Sequence, residues 1–301
     1  MSSPYSRDAS RSYLIPLILG FLSILITISI LTLTRLLTIL VRPRATSLGP
    51  TRPTTSSRHP THLLIVLGSG GHTAEMLNML RCVPLLSLKF TYRTYVVSSG
   101  DGFSALKARE FEMEIAGHQA DPAKTQEAGE ILHTIRGSYD IVAVRRARRV
   151  HQSLFSTPWT ASLCVWDCIR VIMDRNPRRT GLPPHQSCNI QNPGYPDLIL
   201  TNGPGTGVCV VLASLIVLFF GFSGPASSTS GEKFEEKPDR LSRWQQSGQM
   251  RTIFIESWAR VKTLSLSGKI LLPFVDRFLV QWPALEGKGG GKAEFVGALV
   301  A

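Results

Sequence analysis

The chain has 301 residues, of which 43% are hydrophobic and 8% aromatic, a composition that excludes a wholly disordered chain and collagen- or mucin-like classes. Thirty-three Lys and Arg against 21 Asp and Glu give a formal charge of +12. That balance suits three kinds of partner: nucleic acid, an anionic membrane surface, or phosphorylated substrates.

In chain order, the first feature is an uncharged run from residue 14 to 34, LIPLILGFLSILITISILTLT. At about 1.5 Å per residue, such a helix crosses the ~30 Å hydrocarbon core of a bilayer, with Leu14, Leu25 and Leu33 among its lipid-facing residues. The run is too long for the apolar region of a signal peptide, and no small-residue cleavage site follows it. Pro16 sits near one end of the run, where a helix tolerates it. Arg7 and Arg11, with Asp8 between them, precede the run, whereas Arg35, Arg42, Arg44, Arg52 and Arg58 follow it. The positive-inside rule puts the C-terminal bulk in the cytosol, so the protein is single-pass. The sequence thus divides into a short lumenal N-terminus (1–12), a transmembrane anchor (13–41), a linker rich in Pro, Thr, Ser and Arg (42–60), and a cytosolic domain (61–301). Part of the basic charge then belongs to topology and to contact with anionic lipid.

The domain alternates short apolar runs with helical patterns. Strands are expected at 63–67, 94–97, 141–144, 198–200, 253–255, 278–280 and 293–296, and helices at 74–81, 104–111, 154–173 and 208–220. Such alternation implies an α/β fold with a mostly parallel, Rossmann-like sheet. Two polar stretches rich in Pro and Gly, 174–194 and 223–250, read as surface insertions. The 208–220 segment is very apolar but short for a span. It suits a core helix or a helix dipping into the membrane surface. Of the five cysteines, Cys164 and Cys168 lie one helical turn apart beside Trp166 and Ile169, as buried helix-face thiols do. No CxxC pair or metal-ligand spacing is present, so no metal is expected, and the thiols read as reduced.

The chemistry concentrates in glycine-rich turns. Gly68-Ser69-Gly70-Gly71-His72-Thr73 lies between a strand and a helix, where glycines admit close backbone approach and the helix N-terminus offers free N–H groups to an anion. Thr73 breaks the dinucleotide pattern GxGxxG, and the GK[ST] of a P-loop is absent. A second turn, Asn202-Gly203-Pro204-Gly205-Thr206, again separates a strand from an apolar helix. Parallel strands bring both turns to one sheet edge, where together they suit a diphosphate. His72 stands beside them as a candidate general base for a sugar hydroxyl, and Glu75 lies in the first turn of the following helix.

GSGGHTAEM (68–76), YPDLILTNGPGT (195–206) and IESWARVKTLSLSGKILLPFVDRFLVQWP (255–283) resemble, in that order, the membrane-anchoring subunit of the eukaryotic UDP-N-acetylglucosamine transferase that forms N,N′-diacetylchitobiosyl diphosphodolichol. The match covers most of residues 61–300 together with the anchor. A more distant similarity is to the N-terminal half of the bacterial peptidoglycan-precursor GlcNAc transferase. The resemblance implies the acceptor half of a GT-B glycosyltransferase. The donor, UDP-GlcNAc, would sit mainly on a separate soluble catalytic subunit, and this chain would be inactive alone. The pair would move GlcNAc onto GlcNAc-diphosphodolichol at the cytosolic face of the endoplasmic reticulum, the second step of dolichol-linked oligosaccharide synthesis. By the same resemblance, Gly68, Ser69, Gly70, Gly71, Thr73, Asn202, Gly203, Pro204, Gly205 and Thr206 would hold the acceptor diphosphate, His72 or Glu256 would be the base, and Ser257 belongs to the third motif. Such enzymes need no metal, and no cofactor is implied.

The sequence departs from the family after its third strand. Arg145, Arg146, Ala147, Arg148 and Arg149 stand where a Pro-Arg-x-Arg-Glu-type stretch is usual, which suits either a solvated basic face or contact with membrane or diphosphate. The GKGGG run at 287–291 reads as a loosened loop, and the apolar end at Val300-Ala301 as a partner contact. One alternative function is a purely structural membrane scaffold with no catalytic residue. A nucleic-acid binder is disfavoured, because the basic residues show no aromatic interleaving and no known module.

Overall fold

The computed structural model describes residues 5–41, 61–83, 86–118, 138–148, 152–153, 155–173, 195–203, 205–221 and 249–299. The linker 42–60, the insertion 174–194, all but the last two residues of the insertion 223–250, Pro204, Arg149, Cys188 and Val300-Ala301 lie outside the described residues. The chain divides into two units, 1–44 and 45–301.

Among its described residues the first unit is a single helix, α1 (Tyr5–Leu40). Its segment Pro16–Leu40 has a mean hydropathy of 2.4 and is long and apolar enough to cross a membrane. Pro16 lies inside α1 rather than near its end, at the cost of one backbone hydrogen bond. Leu25 and Leu33 are exposed on the helix. Leu14 is on the same helix, with its side chain outside the described residues. Thr27, Ser29, Thr32, Thr34 and Thr38 donate their hydroxyls to carbonyls three or four residues back, at 2.7–3.0 Å, so these protons need no partner from hydrocarbon.

The second unit is built on seven strands: β1 (His62–Val66), β2 (Tyr92–Ser98), β3 (Ser138–Val144), β4 (Leu198–Thr201), β5 (Arg251–Ile255), β6 (Arg277–Val280) and β7 (Ala293–Phe295). Their order is β3-β2-β1-β4-β5-β6-β7, and every neighbouring pair is parallel. The chain lays down β1 to β3 in one direction and then returns to place β4 on the other side of β1. Strands buried on both faces are the continuous apolar runs expected of a parallel sheet, and all five residues of β1 are buried.

Among the described residues the helices are α2 (Gly71–Arg81), α3 (Leu86–Lys89), α4 (Gly102–His118), α5 (Thr157–Ile172), α6 (Thr206–Phe220) and α7 (Leu266–Leu271), followed by a 3-10 turn at Pro283–Leu285. Leu63, Ile65 and Tyr95 meet Met76, Leu80 and Phe111 of α2 and α4 on one side of the sheet. Phe254 and Phe278 meet Val211 and Leu271 of α6 and α7 on the other, with their rings stacked at 5.1 Å. Helix 208–220 is therefore a core helix over much of its surface, with Cys209, Val210, Val211, Ala213 and Val217 buried. It packs beside α5 through Cys164, Cys168 and Cys209, all three buried and free. Hydrogen bonds among these thiols, together with burial, push Cys164 and Cys209 far above the usual thiol range, so they stay neutral.

Helix α2 begins at Gly71, ahead of the expected 74, and α4 runs on to His118. Helices α3 and α7 are too short to show a 3.6-residue period in sequence. The GKGGG run is a tight turn rather than a loose loop: Gly291 N–H donates to Gly287 O at 2.8 Å, and Gly287 N–H to Ala293 O at 3.0 Å.

A buried ion pair ties β2 to α4. The Arg93 guanidinium is fully buried and donates to both Glu112 oxygens at 2.6 and 2.7 Å, while Tyr95 O–H donates to Glu112 at 2.6 Å. Removing one partner of such a pair strands the other charge. Glu112→Ala is expected to cost about 3–5 kcal/mol in urea unfolding, and Glu112→Gln less, because the amide still accepts from Arg93.

Candidate functional site

In a parallel sheet the loops after every strand gather at one edge, and a crevice opens where the strand order reverses. Here the reversal lies between β1 and β4, which run in register with Val66 opposite Thr201. Both glycine turns leave the sheet at that point. They touch backbone to backbone: a Cβ on Gly203 would lie 3.2 Å from Gly68 Cα, and one on Gly68 would lie 2.7 Å from His72 Cβ. Asn202 locks the contact, its Nδ2 donating to the His72 carbonyl at 2.8 Å. The other amide atom, Asn202 Oδ1, is buried without a hydrogen-bond partner among the described residues.

Gly70 and Gly205 cap α2 and α6 with φ of 61° and 53°, a region that glycine enters without strain. The first bonds of α2 run from Thr73 and Ala74 N–H to Gly70 O, which leaves the amides of Gly71 and His72 at the open end of the helix. Cys209 N–H to Gly205 O starts α6 in the same way. Two helix N-termini, each with partial positive charge, thus open on one crevice. Ser69, Gly70 and Gly71 are exposed there. Thr73 and Thr206 are buried and serve the scaffold: Thr73 Oγ1 donates to the Gly68 carbonyl and meets Ser104 Oγ at 2.7 Å, and Thr206 Oγ1 meets Ser98 Oγ at 2.9 Å.

His72 is 31% exposed, with its Nδ1 buried and 3.7 Å from Glu75 Oε2, one helical turn on. Exposure of the ring therefore falls on its other atoms. A proton on Nδ1, facing the Glu75 carboxylate, leaves Nε2 as the basic nitrogen. Glu75 is held from three sides: Trp258 N–H at 2.6 Å, Gln281 Nε2 at 2.7 Å and Ser257 Oγ at 3.2 Å all donate to it. Burial raises its pKa, but His72 and these three donors outweigh burial and hold the carboxyl below its ordinary 4.5.

Glu256 does a different job. It is 1% exposed; its Oε1 accepts from Ser257 N–H at 3.2 Å and its Oε2 from Ser265 N–H at 2.9 Å and Ser265 Oγ at 3.1 Å. The carboxylate pins both ends of the 257–265 loop to the start of α7, and Ser257 passes on to Glu75. Of the two candidate bases, His72 thus lies beside Glu75 at the crevice, whereas the Glu256 oxygens are engaged with their own loop. The i, i+3 spacing in GHTAE was the signal available for the His72–Glu75 pair.

The basic run after β3 belongs to the same edge. A Cβ on Gly205 would lie 3.4 Å from Ala147 Cβ, so Ala147 packs against the second turn. Arg145 pairs with Asp167 at 3.4 Å, Arg146 Nε donates to Ser99 O at 3.0 Å, and Arg148 Nη2 donates to Gln152 O at 3.1 Å.

Gly203→Ala is expected to force the two turns apart and to cost about 1–3 kcal/mol in urea unfolding. Because Glu75 titrates lower when folded, its contribution to stability is full above the ordinary carboxyl range and fades as pH falls through its folded value. Glu75→Gln is expected to flatten that acid-side decline in unfolding measured between pH 6 and roughly pH 3.

Residues 63–299 match the family "Oligosaccharide biosynthesis protein Alg14 like". The chain is 42% identical over 244 residues to UDP-N-acetylglucosamine transferase subunit alg14 of Aspergillus fumigatus, covering 75% of this chain and 100% of the relative. The Schizosaccharomyces pombe subunit of that name is 35% identical over 237 residues, 78% of this chain and 82% of the relative. The human subunit is 31% identical over 243 residues, 81% and 85%. No solved structure matches the chain significantly. With the seven-stranded sheet and both glycine turns inside the matched region, the chain belongs to the Alg14 family.

Proposed function

We propose that the chain is the membrane-anchored, acceptor-binding subunit of a UDP-GlcNAc-dependent glycosyltransferase. In this reading it recruits a soluble donor-binding catalytic subunit to the endoplasmic reticulum membrane, with the sheet domain in the cytosol, and GlcNAc passes from UDP-GlcNAc to GlcNAc-diphosphodolichol. The observation that carries the reading is the convergence of two helix N-termini on the crevice that holds His72 and Glu75. Relatives named as UDP-N-acetylglucosamine transferase subunits support the reaction class. The apolar helix α1 supports the anchor.

The amides at Gly71, His72 and Thr206 bind and orient the acceptor diphosphate, with Ser69 beside them. His72 Nε2 takes the proton from the acceptor sugar hydroxyl as its oxygen attacks the anomeric carbon of the donor. The new glycosidic C–O bond forms as the bond from that carbon to the phosphate oxygen breaks, and UDP leaves from the partner's side. Inversion at the anomeric carbon yields the beta-linked disaccharide lipid. Glu75 holds the imidazole in orientation and stabilises the imidazolium that results. Glu256 shapes the loop that supports Glu75.

The test is GlcNAc transfer to GlcNAc-diphospholipid by membranes containing the chain, with and without the soluble subunit. Product is expected only with both. In complexes that still assemble, His72→Ala is expected to lower turnover by about 10²–10⁴-fold, with Glu75→Gln in between. Unchanged turnover in both variants would leave a scaffold without a catalytic residue.

A further inference from the structure

Three donors hold Glu75, and of these only Gln281 is placed by the sheet. Ser257 and Trp258 ride on the 257–265 loop, whereas Gln281 directly follows β6. That strand is paired on both sides, with Phe278 opposite Phe254 of β5 and Ala293 of β7. At its end Glu256 N–H donates to Leu279 O at 2.8 Å, and Val296 N–H donates to Val280 O at 3.2 Å. The backbone that carries Gln281 is thus held by both neighbours.

Gln281 is 2% exposed, and its buried amide is satisfied at both ends. Nε2 donates to Glu75 Oε1 at 2.7 Å and to the Glu256 carbonyl at 3.0 Å, while Oε1 accepts from Leu299 N–H at 3.2 Å. Only one orientation works. Turned over, the amide would set its oxygen against a carboxylate and a carbonyl, and its N–H groups against another N–H. The tail that supplies the Leu299 N–H turns at Gly297, with φ of 80°, and the Leu299 side chain packs on the core cluster that includes Met76 and Ile255.

The contact with Glu75 is the charge-assisted one of the three. It falls on Oε1, which Trp258 N–H also meets at 2.6 Å, whereas Oε2 is the oxygen 3.7 Å from His72 Nδ1. Two donors on Oε1 fix the plane of the carboxylate and with it the aim of Oε2. We infer that Gln281 is a positioning residue for the His72–Glu75 pair: it holds Glu75 Oε2 toward Nδ1, and so keeps the imidazole proton on Nδ1 and the lone pair on Nε2. The inference rests on the reading of His72 as the base. An amide that only tied β6 to the tail would leave the chemistry untouched, whereas one that positions Glu75 acts on the rate through that carboxylate.

The test uses the full-length chain in complex with the soluble subunit, and reads turnover and nitrogen shifts together. Gln281→Met has a similar volume but no donor. It is expected to lower kcat about 10-fold and to leave KM for GlcNAc-diphospholipid within about twofold. In a Glu75→Gln background the same substitution is expected to add less than about twofold, because its effect runs through Glu75. The second readout is nitrogen NMR of the labelled histidines at about pH 8, where free imidazole is neutral. The His72 ring, one of seven, is assigned with His72→Gln. It is expected to be protonated on Nδ1 in the unsubstituted chain and to become a mixture of tautomers in Gln281→Met. Equal losses of kcat in both backgrounds, a rise in KM alone, or His72 nitrogens that the substitution does not move overturn the inference. Should Gln281→Met fail to fold, Gln281→Asn, one methylene too short to span Glu75 and Leu299, takes its place with the same expectations. Unchanged turnover in His72→Ala would instead end the reading of His72 as the base, while the nitrogen shifts still decide whether Gln281 positions the pair.

Discussion

Two glycine backbones in contact set the geometry on which everything at the sheet edge depends. Gly68 follows β1 and Gly203 follows β4, and the strands they follow are neighbours only because the chain reverses direction there. Any side chain at either position holds the turns apart. With them in contact, α2 and α6 start from one small region, and the Asn202 amide reaches the His72 carbonyl. Dipole effects fade within the first turn of a helix, so two N-termini reinforce each other only when they open on the same few ångströms. The glycines are thus a spacing device first; freedom of φ matters one residue later, at Gly70 and Gly205.

The two glutamates show how burial and partners divide identical side chains. Glu256 spends both oxygens on backbone and hydroxyl donors of its own loop. Glu75 also accepts three such bonds, yet keeps Oε2 toward His72. The loop that Glu256 shapes carries the Ser257 and Trp258 donors to Glu75, so the third sequence motif acts on the first through one carboxylate. A carboxylate supplied with that many donors stays ionised, which is the state able to stabilise a protonated imidazole.

Much of this was legible in the sequence, and the reason is physical. All seven strands were anticipated because buried parallel strands are uninterrupted apolar runs, and the glycine turns stood out because few other residues fit a strand-to-helix turn so tight. Helices α3 and α7 escaped because four and six residues do not complete two turns. Thr73 and Thr206 read as ligand groups, since a hydroxyl at a helix start suits a phosphate, but Ser104 and Ser98, distant in sequence, claim them. The role of Glu75 was hidden for the same reason: Trp258 and Gln281 are about two hundred residues away, 183 and 206 positions on. What period and composition reveal is local, and the pairing of distant loops is decided by strand order.

Charge at this edge is arranged in layers. Backbone amides lie innermost, at the caps of α2 and α6, and they carry no net charge that must be desolvated. Arg145, Arg146 and Arg148 lie outside them, each engaged with a carboxylate or carbonyl of the scaffold. Guanidiniums so tethered lose little further freedom when an anion arrives, and attraction between them and that anion grows as water is displaced. The chain by itself leaves the crevice open to solvent, with Ser69, Gly70 and Gly71 exposed. In the proposed function, an anion held at this edge is bound more tightly once another surface closes over it. A second subunit across the crevice is the surface that the proposed function supplies.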